Sequence, residues 1–486
     1  MKQQLLIVIG LGLLTAIGCR KIESDGEIVY VNNGGGNGGN TTGQTITLQG
    51  RINADTLLRK ENTYILKGLV YMVGNHTMTI QPGTVVKGSF SGSDVAALII
   101  TRGSKLEAVG SPTEPIVFTS ASPNPQSGDW GGIVLCGKAA VNSSFNGING
   151  LFQVEGGVDN AQGDGLAGSG DAVAASPVNN DNSGSLSFVR IEYAGYAYQP
   201  DKEINSLTLA AVGSGTTIDH VQVVYAKDDA YEWFGGTVNC KYLIAYKTQD
   251  DDFDTDNGYS GNVQFGLVLR DSLIADISTS EAFESDNNAS GTTATPKTSA
   301  VFSNITAIGP RASLSNAGNS LFRAGAQIRR NSALSIFNSV IIGWPQGILI
   351  DASTGTPTDK NIDDSSLRIR FTTLAGNTVN LKYSASASAP TGATDASILA
   401  WFTSPAFGNT ILTNASDAKL IQPFSYVAPD PTPFAGSNGY QPIIGGASFA
   451  DPKVSGAFFT QVNFRGAIAP AGVEATWWKG WTKFNY

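Results

Sequence analysis

Short apolar runs of three to five residues recur along the chain, each closed by Gly, Asn, Asp or Pro. The pattern is plain at 66–72 (LKGLVYM), 78–88 (MTIQPGTVVKG), 96–103 (AALIITRG), 105–110 (KLEAVG), 115–120 (PIVFTS) and 131–137 (GGIVLCG). Almost no segment sustains the 3.6-residue period of an amphipathic helix, so the runs predict short strands separated by turns. They are too short for a sandwich of antiparallel hairpins. They fit an all-β, right-handed parallel β-helix, in which each coil lends short strands to three stacked sheets.

The middle of the chain shows the repeat directly. LSFVRIEYAG (186–195) aligns with IDHVQVVYAK (218–227), and NITAIG (304–309) matches NSVIIG (338–343). A sharper repeat joins Asp229-Ala230-Tyr231-Glu232, Asp251-Asp252-Phe253-Asp254 and Glu281-Ala282-Phe283-Glu284. The first two copies lie one coil apart, and the third follows a coil carrying an insertion. Equal positions on successive coils sit about 4.8 Å apart, so the rings should stack inside and the acids should form a ladder at one edge. The solenoid is expected over 44–400, with a surface-loop insertion at 143–184 and a second loop at 383–397. Residues 401–486, with Trp401, Phe402, Phe424, Phe434, Trp477, Trp478, Trp481 and Phe484, are expected to form terminal coils and an aromatic cap over the open end.

Charged residues are 15% and hydrophobic residues 41% of the 486-residue chain, which excludes wholesale disorder. The net charge of −9 argues against nucleic acid as a partner, because phosphate binding needs clustered Lys and Arg. Two His are too few for a multi-His zinc site. His220 reads as a packed histidine and His76 as a turn residue. Residues 1–18 hold Lys2, an apolar stretch from Leu5 to Leu14 and then small residues, the layout of a signal peptide. Thr15-Ala16-Ile17-Gly18 before Cys19 resembles a bacterial lipobox, with Ala16 where Leu is usual. That resemblance implies a lipidated (palmitate-bearing) Cys19, anchored by its acyl chains. Residues 19–43 then read as a Gly/Asn-rich tether. Cys136 and Cys240 lie in strand-like runs and read as small buried hydrophobes; their pairing cannot be read from sequence.

TMTIQPGTVVKG (77–88), GDWGGIVLCG (128–137), DDAYEWFGGTVNCK (228–241), DDDFDTDNGYSGNVQ (250–264) and the GWTKF ending (480–484) resemble a group of Bacteroidota outer-membrane lipoproteins. The group is similar to right-handed parallel β-helix proteins often encoded near TonB-dependent receptors. The resemblance runs from about residue 64 to 344. It implies an outer-membrane, lipid-anchored protein, and Glu23, Asp25 and Glu27 resemble that group's surface-export signal. It implies no catalytic residue.

The candidate chemistry lies in the acids. Asp228, Asp229, Glu232, Asp250, Asp251, Asp252, Asp254, Asp256, Glu281 and Glu284, with Asp286 beside them, crowd one stretch. Stacked like charges repel by about 1 kcal/mol per pair at 4 Å even in water, so protons, cationic side chains or a metal ion must compensate. Lys227, Lys241, Lys247 and Arg270 are near in sequence and could supply salt bridges. Ca²⁺, which takes about 6–8 oxygens, is the alternative, although the run lacks the order of an EF-hand loop. Three functional classes follow. The first is a non-catalytic module that binds a glycan or peptide and serves a TonB-dependent receptor. The second is a Ca²⁺-dependent polysaccharide lyase or a glycoside hydrolase, with Lys247 or Arg270 as a base. The third is a structural or adhesive surface protein.

Overall fold

The apolar runs become parallel strands in the computed structural model, which describes residues 31–32, 43–199, 202–316 and 318–486. The expected signal peptide, Cys19 and most of the tether lie outside the described residues. Successive coils stack on three faces, as a right-handed parallel β-helix requires. One sheet is built from Ala97–Ile100, Gly132–Cys136, Leu207–Ala210, Tyr231–Phe234, Phe253–Asp256, Phe283–Ser285, Ala324–Arg329 and Gln346–Asp351, paired parallel in that order. We call it the acidic sheet. The other two faces share long strands that bend midway, including Gly184–Glu192, Thr217–Val224, Asn239–Tyr246, Asn262–Leu269 and Val301–Ile308.

The bend has a local cause. Phe188, His220, Tyr242, Phe265, Asn304, Asn338 and Phe371 occupy one column, and each has a φ between 50° and 63°. A left-handed L-residue costs about 1–2 kcal/mol, which favours Asn at such sites. The aromatic members offset that cost by stacking: His220 lies 4.4 Å from both Phe188 and Tyr242, and Tyr242 lies 5.0 Å from Phe265.

Inside the coil the motif rings stack as the repeat predicts. Tyr231, Phe253 and Phe283 are fully buried, with centroid spacings of 5.7 and 5.5 Å. Cys136 and Cys240 are free and buried.

Two expectations need correction. The segment 143–184 is no structureless loop. It carries the antiparallel hairpins Ser144–Phe145 with Ile148–Asn149 and Leu151–Gln153 with Leu166–Gly168. Phe152, Val154, Val158 and Ala167 pack on Val134, Cys136, Ala210 and Phe234, covering the outer face of the acidic sheet. Of the C-terminal aromatics expected to cap the open end, Trp401 and Phe402 do pack against the core there, whereas Trp477, Trp478 and Trp481 lie elsewhere. Val224, Ile244, Leu267, Ile308 and Ile342 point outward from a bent-strand sheet, and Phe464, Ile468, Trp477, Trp478 and Trp481 cover them. This segment runs back along the solenoid wall as a strap: Ala467 N–H donates to Thr306 Oγ1 at 2.8 Å, and Gln222 donates to Lys483 O at 2.9 Å. An apolar outer face needs cover as much as an open end does. The end is closed earlier in sequence by the helix Asp395–Phe402, which buries Ile398 and Phe402 in the main core. That helix also ends the loop expected over 383–397.

Candidate functional site

The acidic motifs meet on the outer face of the acidic sheet and on the turns that lead into it. Strand register aligns Glu232 with Asp254 and Asp254 with Glu284, while Asp256 lies opposite Phe234. On the preceding turn the acids bind backbone. Asp251 N–H donates to Asp229 Oδ1 at 2.9 Å, and Glu281 N–H donates to Asp251 Oδ1 at 2.6 Å. One coil earlier Asn205 fills the same place, accepting from Asp229 N–H at 3.2 Å. Asp and Asn suit these turns because a short side-chain oxygen reaches the next coil's amide.

Over this face lies a cavity of about 310 Å³. Eleven carboxylates line it: Asp228, Asp229, Glu232, Asp250, Asp251, Asp254, Asp256, Glu284 and Asp286, with Glu155 from the insertion and Glu203 from a small hairpin. Two cationic side chains, Arg329 and Arg330, line it as well. Both are already engaged. Arg329 pairs with Glu284 and, at 2.9 Å, with Asp286; Arg330 reaches Asp286 at 2.6 Å.

Three groups bring one carboxylate oxygen of each member within 4.8 Å of the others: Asp228, Asp229 and Asp250; Asp229, Glu232 and Asp254; Asp251, Glu281 and Glu284. These clusters could hold metal ions, and Asp229 belongs to two of them. All ligands are carboxylate oxygens, a donor set that suits a hard cation and disfavours zinc. Two buried oxygens, Asp254 Oδ1 and Glu281 Oε2, have no hydrogen-bond partner, and Glu281 is fully buried. An ionised carboxylate so placed is costly unless a cation or a proton joins it.

The electrostatics follow from burial first and crowding second. Burial and the neighbouring carboxylates hold Asp228, Asp229, Glu232, Asp251 and Asp254 protonated well above the usual carboxylate range. Burial pushes Asp250, Glu281 and Glu284 up to about 7, and Asp256 up to about 8.

Of the ten acids singled out in the sequence, Asp252 stands apart. It occupies the inward position held by Ala230 and Ala282 in the sister motifs, and it pairs with Arg270 at 2.8 Å with both side chains fully buried. Arg270 also donates to the carbonyl of Thr248 at 2.6 Å and to those of Asp250 and Glu281. It is a structural brace and no base. Lys247 lies 5.3 Å from the ring centres of Tyr225 and Tyr246 and 3.5 Å from Asp271, and Lys241 bonds Thr460. None of the four basic residues expected to balance the ladder lines the cavity. Arg329 and Arg330, which do, carry no motif, and they sit 45 and 46 residues beyond Glu284. The double Arg at the end of the strand Ala324–Arg329 was their only trace in the sequence. His220 stacks between two rings with its Nδ1 on the Asp219 carboxylate, and it does not line the cavity.

The fold and site define a parallel β-helix with a carboxylate cavity on its wall. A family profile described as a pectate-lyase-like beta helix domain matches residues 50–410, and the chain belongs to that family. No curated protein and no solved structure matches the chain.

Proposed function

We propose that the protein is a non-catalytic ligand-binding module, loaded with Ca²⁺ in its acidic cavity and held on the cell surface by a lipidated Cys19. The observation that carries the binding reading is the pairing of both arginines in a cavity of eleven carboxylates. Among the described lining residues no unpaired cationic side chain stands ready as a base. In this reading Asp229 is shared between two ion sites, with Asp228 and Asp250 on one side and Glu232 and Asp254 on the other. Asp251, Glu281 and Glu284 hold a third. The bound ions supply the positive charge that the cavity lacks and that an anionic group of a glycan or peptide would meet. The lipobox-like segment supports the anchor, and no helix among the described residues is long and apolar enough to cross a membrane. The resemblance to lipoproteins encoded near TonB-dependent receptors supports such a receptor as partner, in the outer membrane.

One observation favours a second reading, a glycoside hydrolase. Asp250 and Glu284 both line the cavity and are pushed by burial up to about 7, where one carboxyl can serve as acid and another as base. Incubation with polygalacturonate and Ca²⁺ separates the readings. Binding that EDTA reverses, with no new reducing ends and no absorbance from unsaturated products, is expected. Product formation lost in Glu284→Gln would establish the enzyme instead.

A further inference from the structure

A second cavity, of about 520 Å³, opens beside the acidic one on the turns between the bent strands and the acidic sheet. Its lining differs sharply from its neighbour's. Pro125, Gln126, Ser127, Gln249 and Ile274 frame three tyrosines, Tyr193, Tyr225 and Tyr486, and no carboxylate, lysine or arginine lines it.

The tyrosines are fixed. Tyr193 and Tyr225 occupy equal places on successive coils, with ring centres 5.5 Å apart and planes 4° from parallel. Tyr486 stands at 85° to both, 5.9 Å from each. The Tyr486 hydroxyl donates to Glu192 at 2.9 Å, and the Tyr225 hydroxyl accepts from Lys247 at 3.2 Å. Tyr193 and Tyr225 also hold φ values of 63° and 54°, left-handed positions at which a bulky ring is costly, yet both rings remain only half-buried.

We propose that this cleft binds a neutral saccharide, one or more pyranose units of a glycan chain. The volume falls within the roughly 300–1,000 Å³ of small-molecule sites. Rigid tyrosine rings offer an apolar surface for the C–H face of a pyranose at little entropic cost, with hydroxyls at their edges. Gln126 and Gln249 each give one amide N–H to the protein, to Pro125 O at 2.7 Å and to Asp276 Oδ1 at 3.2 Å, and present the second N–H and the amide oxygen as donor and acceptor for sugar hydroxyls. The lining itself carries no charge, and the charged groups behind it, Lys247 and Glu192, are bonded to the hydroxyls of Tyr225 and Tyr486. Gln249 directly precedes Asp250, and Ile274 shares a loop with Ser278 and Thr279, which line the acidic cavity. A glycan chain seated on the tyrosines therefore runs on toward the carboxylates. The inference rests on the reading of the protein as a binding module and names its ligand class, but it does not depend on the cation.

Calorimetric titration with cellohexaose, xylohexaose, mannohexaose and maltohexaose tests it, in EDTA and again in Ca²⁺. At least one of the four is expected to bind in both conditions. Its Kd should rise about tenfold in Tyr193→Ala, the order of one aromatic contact. It should also weaken in Gln126→Ala, an exposed side chain whose loss leaves the melting temperature unchanged. If none of the four binds, or if both variants bind as tightly as the wild type, the inference is overturned. Binding abolished by EDTA but untouched by the variants would put the sugar in the acidic cavity, which also overturns it and leaves the cation reading standing. Sugar binding in a protein indifferent to Ca²⁺ would do the reverse.

Discussion

Asp252, on the bend just before the strand Phe253–Asp256, and Asp254, within it, meet opposite fates. Asp252 points inward, where a carboxylate survives only beside Arg270; Asp254 points outward among other acids. Removing one partner of a fully buried pair leaves the other charge stranded. Arg270→Met should therefore cost about 3–5 kcal/mol in denaturant unfolding, while the double change with Asp252→Leu should recover much of it. A loss below about 1 kcal/mol in the single variant would show that Asp252 is held by something else. Glu281→Gln should act in the other direction. It keeps the acceptor for Thr279 and removes a charge crowded by Asp251 and Glu284. In EDTA at pH 8 the variant should gain about 1 kcal/mol, by relief of one like-charge contact. If it is instead destabilised there, the carboxylate is supporting the fold rather than waiting for an ion.

At the scale of elements, whatever repeats within one or two coils was legible. The acid–aromatic–acid motif gave the stacked rings and the row of Glu232, Asp254 and Glu284, because coil length alone sets register in a solenoid. Contacts closed across hundreds of residues were not legible. Trp481 meets Phe188, and Tyr486 meets Glu192, through a strap whose sequence shows only scattered aromatics. An aromatic-rich tail looks the same whether it covers an end or a wall. The outward Val224, Ile244 and Leu267 were the missed signal, since apolar residues on both faces of a strand announce a second covering layer. The strap predicts a contrast. Trp481→Ala, at a 1% exposed position, should cost about 3–5 kcal/mol, whereas Phe434→Ala, at 42% exposure, should stay within about 0.5 kcal/mol in guanidinium unfolding. Equal costs would contradict the placement of the strap. The acidic cavity was half legible: eight of the ten predicted acids fall in its clusters, but its roof residue Glu155 and its arginines come from segments without repeat.

For the whole molecule, the cavity ties stability to pH and to cations. Burial holds Asp250, Glu281 and Glu284 at about 7 and Asp256 at about 8 in the folded state, against about 4 in an unfolded chain, so the folded state holds more protons across that interval. Metal-free stability should be fullest below about pH 4 and fall as pH rises through 7–8. A cation reverses this, because it binds the ionised groups and releases their protons, so its affinity should rise over the same range. The most direct measurement is the thermal midpoint with EDTA and with excess Ca²⁺, at pH 5 and pH 8, for the wild type and for Asp229→Asn. The asparagine keeps the acceptor for the Asp251 amide and removes the charge common to two clusters. With Ca²⁺ the midpoint should rise by several degrees at pH 8 and by almost nothing at pH 5, and the rise should be smaller in the variant. Ligand at about 100 times its Kd contributes about 2.7 kcal/mol per site, so the shift should be unmistakable. No Ca²⁺ shift at pH 8, or the same shift in Asp229→Asn, would contradict Ca²⁺ loading of the acidic cavity.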